Sequence, residues 1–238
     1  MRKIIPTLFC SFLLILLQNH LAQAATIKGK VVYKGKVPKL REIKMGADPV
    51  CLTKHTNAVF PQTITLGPNN EMKNVFFHIV DGLPKKDYPV PTEPAVLDQK
   101  GCIYSPPVLG VRVGQPVKIL NPDGTLHNVH TLSKINPEFN LAMPKFRTET
   151  VKVFDKPEFM FEMKCDVHPW MTAFITVTDN PFFTTSNEAG EYAINDLPAG
   201  TYVLEAWHQR LEPQKITVTL AEGETKEVDV TFQRPDGK

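Results

Sequence analysis

Three features of the sequence predict an all-β fold. Proline occurs 21 times and glycine 13 times, short runs of Val, Ile, Thr and Phe lie between them, and hardly any segment repeats apolar residues at helical period. In chain order the predicted strands cover residues 26–33, 74–80, 111–120, 128–132, 148–154, 159–165 and 173–178, then 191–194, 202–207, 215–220 and 227–232. Proline-rich stretches at 83–94 and 105–108 read as surface loops, because proline gives no donor to a sheet ladder. In 159–165, alternation places Phe159, Phe161, Met163 and Cys165 on one face and Glu162 and Lys164 on the other. The run Ala173-Phe174-Ile175-Thr176-Val177 then resumes the sheet. A boundary falls near 178–181, and beyond it each glycine turn feeds a strand, the pattern of a meander of short antiparallel strands.

The chain begins with Arg2 and Lys3, an apolar run from Leu8 to Leu17 and then Ala22-Gln23-Ala24, the order of a secretory signal cleaved after Ala24. Residues 1–24 are therefore expected to be removed, and the protein to work in the periplasm or outside the cell. The apolar run falls short of the roughly 20 residues of a membrane span, and no other stretch approaches that length, so the mature chain is expected to have no membrane span. Of the 27 basic residues two leave with the signal, which balances the remainder against 25 acidic ones. No Lys/Arg cluster interleaves with aromatics, so nothing points to nucleic acid or an anionic membrane surface. No GxSxG, HExxH or nucleophile–base pair marks hydrolase chemistry.

Cys10 leaves with the signal, and Cys51, Cys102 and Cys165 remain, an odd number for an oxidising compartment. The economical division is a Cys51–Cys102 disulfide and a Cys165 thiolate protected by a metal; two buried free thiols are the alternative. Chemistry-bearing residues concentrate in two pieces. Asn121-Pro122-Asp123-Gly124-Thr125-Leu126-His127-Asn128-Val129-His130 is a turn that delivers a histidine to the start of a strand, and Cys165-Asp166-Val167-His168-Pro169-Trp170-Met171 places thiolate, imidazole and thioether in one tight loop. Two histidines and a cysteine with a weak methionine form the donor set of a blue-copper site. Zinc is the rival, but its structural sites draw on several cysteines or on CxxC and HxxxH spacings that this chain lacks. His130 lies three positions from His127, hence on the opposite face of a strand. It is either an alternative or extra ligand or a group at the surface or behind the ligands, and Met143 could supply a thioether or simply pack. His55, His78 and His208 have no partners at metal spacing.

These two pieces resemble the type 1 copper proteins of the cupredoxin family, the amicyanins and plastocyanins, over roughly residues 108–178. The resemblance implies a Greek-key β-sandwich holding one type 1 copper by His127, Cys165, His168 and Met171. It also implies that Asn128 ties the two ligand segments together, and that His168 is the port where a redox partner docks on an apolar patch with Pro169 and Trp170. Farther on, Asn187-Glu188-Ala189-Gly190-Glu191-Tyr192 and Leu197-Pro198-Ala199-Gly200-Thr201-Tyr202 resemble carboxypeptidase regulatory-like modules, small transthyretin-like β-sandwiches. Ile27-Lys28-Gly29-Lys30-Val31 looks like the opening strand of such a module; alternatively it edges the central domain. The expected organisation is a signal at 1–24, a copper domain at 25–178 and a β-module at 179–238, to which strand 26–33 could belong. The expected function is single-electron transfer between redox proteins, without enzymatic turnover. A binding module with structural or cargo copper is the second reading, and a copper enzyme or sensor the third.

Overall fold

Strands dominate the regular structure of the chain, in keeping with its proline and glycine punctuation. The computed structural model describes residues 23–234, so all of the expected signal but Gln23 and Ala24 lies outside the described residues. In chain order the strands are β1 (Ala25–Lys34), β2 (Thr65–Leu66), β3 (Met72–Lys73), β4 (Phe76–Asp81), β5 (Ala95–Asp98) and β6 (Val108–Arg112). They continue with β7 (Pro116–Leu120), β8 (His127–Thr131), β9 (Asn140–Met143), β10 (Glu149–Val153), β11 (Glu158–Lys164) and β12 (Thr172–Thr178). The last are β13 (Phe183–Thr185), β14 (Glu191–Leu197), β15 (Gly200–His208), β16 (Leu211–Leu220), β17 (Thr225–Glu227) and β18 (Val230–Gln233). A single helical turn, α1 (Pro49–Thr53), starts where Asp48 accepts the Val50 N–H and Pro49 supplies a preset φ. No helix among the described residues is long and apolar enough to cross a membrane.

Four sheets pair into two sandwiches. In the first, β14–β1–β17 with β18 also on β1 shares a core with β13–β4–β15–β16, through Ile27, Val31, Phe77, Ile79, Tyr192, Leu204 and Phe232. In the second, β10–β7–β5 shares a core with β6–β12–β11–β8–β9, through Leu97, Val117, Ile119, Val129, Phe161, Met163 and Ile175. Each such side chain, taken fully from water, contributes about 1.5–3 kcal/mol. β1, the strand that could open the C-terminal module, pairs with β14, β17 and β18, and β4, which also precedes residue 178, pairs with β13 and β15. Gly29 shows how closely β1 is held, since a Cβ there would lie 2.1 Å from the Val228 carbonyl oxygen.

Two local expectations are corrected. The single strand expected over 111–120 is β6 and β7, which turn at Gly114 (φ +80°) and enter different sheets. Phe159 was expected to face inward with Cys165, but β11 shifts register between Glu158 and Phe161, with Met160 at φ 48°. One extra residue in a bulge reverses the alternation before it. Phe161, Met163 and Cys165 are buried, whereas Phe159 is 43% exposed and stacks on His78 with ring centroids 4.7 Å apart. Phe159 and Phe174 both meet Trp207 of β15, so an aromatic seam joins the two sandwiches.

Candidate metal centre

The second sandwich gathers its buried polar groups at one end. The turn before β8 is shaped by Asn121, whose side chain donates to the Thr125 and Met143 carbonyls and accepts the Asp123 N–H, and by Gly124 at φ +75°. It delivers His127 into the core as the first residue of β8. The other loop follows β11 and is closed by two backbone bonds, Cys165 N–H to the Met171 carbonyl at 3.2 Å and Met171 N–H to the His168 carbonyl at 2.9 Å. Asn128 joins the two segments. Its side-chain carbonyl accepts the Asp166 and Val167 N–H groups, its amide donates to Asp166, and its backbone N–H points at Cys165 Sγ at 3.5 Å.

His127, Cys165 and His168 present donor atoms that all lie within 4.8 Å of one another, and all three residues are buried. Nδ1 of His127 is 2.9 Å from Nδ1 of His168, and Cys165 Sγ is 3.7 Å from the latter. Two imidazole nitrogens on one tetrahedral ion stand about 3.3 Å apart, and a nitrogen and a thiolate sulfur about 3.6 Å, given bonds near 2.05 and 2.3 Å. The three donors therefore fit a soft metal. Met171 closes the same loop and is wholly buried.

Both outer ring nitrogens are occupied by carboxylates. His127 Nε2 is 3.0 Å from Asp123 Oδ2, and His168 Nε2 is 3.1 Å from Asp48 Oδ2. Asp123 also accepts the Gly101 and Cys102 N–H groups at 2.8 and 2.7 Å, while Asp48 accepts Thr125 Oγ1 and the Val50 N–H, both at 2.8 Å. Burial raises both aspartate pKa values, but these hydrogen bonds outweigh it and hold both below the ordinary range. Burial also pushes the Cys165 thiol up, and its contacts with His127 and the Asn128 backbone N–H bring it below its usual value, toward thiolate. For His127 burial pulls down, and its contacts with Asp123 and Cys165 leave the pKa raised. His168 is lowered, chiefly by burial, against the pull of Asp48.

The remaining expected residues fall elsewhere or pack. His130 points away from the cluster, with Nδ1 2.9 Å from Asp166 and Nε2 3.2 Å from Glu138. Met143 lies opposite His127 across β8 and β9, and its thioether accepts from Gln99 Nε2 at 3.3 Å. Cys51 and Cys102 form a disulfide, and Cys165 is free. The expected exposed port is not present: His168 is 1% exposed. α1 covers it, with Asp48 on its outer nitrogen and Cys51 Sγ 3.5 Å from the same atom, and the Trp170 ring flanks it while Nε1 donates to the Cys102 carbonyl. Asp48, Asp123 and Thr125 escaped the sequence reading. The only sequence cue to Asp48 is an aspartate before Pro49, which marks a helix start rather than a ligand's partner.

A family described as the carboxypeptidase regulatory-like domain matches residues 168–233, from the metal loop through β18. No curated protein sequence matches the chain. Among solved structures it is similar to a Cu-containing nitrite reductase from Thermus scotoductus, at 21% identity and TM-score 0.33. That match covers 42% of this chain and 26% of the reductase. It is also similar to an oxidised amicyanin variant, at 25% identity over 36% of this chain and 82% of amicyanin, with TM-score 0.32. A purple cupredoxin from Nitrosopumilus maritimus is 21% identical over 35% of this chain and 99% of its own, with TM-score 0.28.

Proposed function

We propose that this chain is an exported copper protein that carries single electrons between redox partners. The observation that supports it most is the convergence of two Nδ1 atoms and one thiolate sulfur in a buried, preformed cluster. His127, Cys165 and His168 would hold the ion, with Met171 as a weak fourth donor, and bound copper would supply a one-electron couple. The chain's part is to keep the donors still. Asn128 locks one ligand segment to the other, and the two backbone bonds across the 165–171 loop fix Cys165 against Met171. Donors that do not move between oxidation states cost little reorganisation. Burial of all four residues keeps them out of bulk water. Two open clefts, of about 540 and 650 Å³, are lined by other residues, around Arg112 and around Lys28 and Tyr192. Cleavage after Ala24 and a periplasmic or secreted location belong to the same proposal.

A redox partner would dock over α1, Pro169 and Trp170, because the cap closes direct access to the His168 ring. That closure also favours a second reading, in which copper is cargo or structural and the β-sandwiches bind a partner. Voltammetry of the copper-loaded chain from Ala25 onward separates the two. An electron carrier gives a reversible one-electron wave with no loss of copper over repeated cycles. A wave that decays as copper leaves on reduction would contradict the carrier and support cargo.

A further inference from the structure

The geometry points to Asp48 and Asp123 as a pair of charged braces, one on each ligand histidine, locked together by the Cys51–Cys102 disulfide. This inference rests on the copper reading above and concerns how this chain tunes that site. Asp123 already accepts the Gly101 and Cys102 N–H groups and Asp48 the Val50 N–H and the Thr125 hydroxyl, so both carboxylates sit as acceptors and each outer Nε2 is placed to donate. Each inner Nδ1 is then bare. Two bare lone pairs 2.9 Å apart repel unless a cation lies between them, and the braces thus select the one tautomer pair that demands a positive ion.

The disulfide couples the two braces. Asp48 caps α1, which carries Cys51, and the Cys102 N–H donates to Asp123 at 2.7 Å, so the bond ties the segment that supplies one brace to the turn that supports the other. Lys54, just past α1, adds a cation 3.7 Å from Asp123. Each brace contributes negative charge to the far side of a ligand ring, which raises its basicity and favours the more positive oxidation state of a bound ion. Asp48 and Asp123 are positioning residues that act through the histidines.

Asp48→Asn and Asp48→Ala, in the full mature chain, separate charge from packing, with Glu188→Gln on the other sandwich as control. In wild type loaded with Cu(I), long-range ¹H–¹⁵N spectra should show His127 and His168 as Nε2–H tautomers. Asp48→Asn should keep the thiolate-to-copper band and raise the reduction potential; a tenfold loss of Cu(II) over Cu(I) preference corresponds to about 59 mV for one electron. Asp48→Ala should in addition weaken copper binding by about 10–100-fold. Glu188→Gln should change neither. Wild-type potential in Asp48→Asn, or an Nδ1–H tautomer at either histidine, overturns the braces even if Asp48→Ala loosens copper. A wild-type protein without a thiolate-to-copper band fails the copper reading instead, so the two failures are distinguishable.

Discussion

The two sandwiches are built from the same aliphatic and aromatic residue types, and they differ in what their buried polar groups do. In the first, Tyr192 and Tyr202 donate to backbone carbonyls of Val228 and Pro198, and Ser186 bridges the Val75 N–H and the Met72 carbonyl. Each of these groups finds its partner within the protein. In the second, Asn121, Asn128, Asp48 and Asp123 are likewise satisfied, but their bonds leave two imidazole nitrogens and a thiol facing one another. The difference teaches that the site is marked less by polarity than by lone pairs that the protein leaves unpaired. It also separates support from chemistry, because changes to the first sandwich should alter stability without touching the metal.

Phe77→Ala breaks the first core where Phe77 stacks on Tyr192 at 3.6 Å between ring centroids. It should cost about 3–5 kcal/mol and speed hydrogen exchange in β14 and β15 while leaving the copper spectrum unchanged. A shifted spectrum would show that the sandwiches are coupled. Replacing both Cys51 and Cys102 by serine opens a link across a sequence separation of 51 and should cost about 4 kcal/mol by loop entropy. Here copper should also dissociate faster, because α1 loses its anchor; denaturant titration and chelator competition measure the two effects. Asp123→Asn should weaken copper binding by about 10-fold or more with little loss of fold.

The smallest expected effect concerns Glu158, which supports the turn before β9. Burial pushes its pKa up, but hydrogen bonds from Ser133, Asn136 and the Lys134 N–H outweigh this and lower it to about 2. A carboxylate with a depressed folded-state pKa adds stability that is fully present above its unfolded value, near 4.5, and is lost as pH falls through about 2. Glu158→Gln should therefore be less stable than wild type at neutral pH, by about 2 kcal/mol, and the gap should close between pH 4.5 and 2. Equal acid melting of the two proteins at every pH would contradict this.

Much of the molecule is legible in its sequence where the signal is local. Strand alternation, the turn before His127 and the short Cys165–Met171 loop all lie within a few residues, and the odd cysteine count isolates Cys165. What is not legible depends on distance along the chain or on one inserted residue. β1 meets β14 more than 160 positions later, a pairing that only the module-like Ile27–Val31 segment hints at, and nothing in the sequence records that β4 pairs with β15 in the same sandwich. The bulge at Met160 turns Phe159 outward against an otherwise regular alternation. Asp48 reaches His168 across 120 positions and reads, in sequence, as an ordinary helix cap. Residues 45–107 thus supply the lid of the site through α1 and, through β4, a strand of the other sandwich.

The most direct test of the central claim is the visible and electron-paramagnetic-resonance spectrum of the mature chain loaded with Cu(II), beside Cys165→Ala. The account predicts an intense thiolate-to-copper band with narrow hyperfine splitting that disappears in the variant. A pale, ordinary Cu(II) spectrum, the same in both proteins, would contradict it.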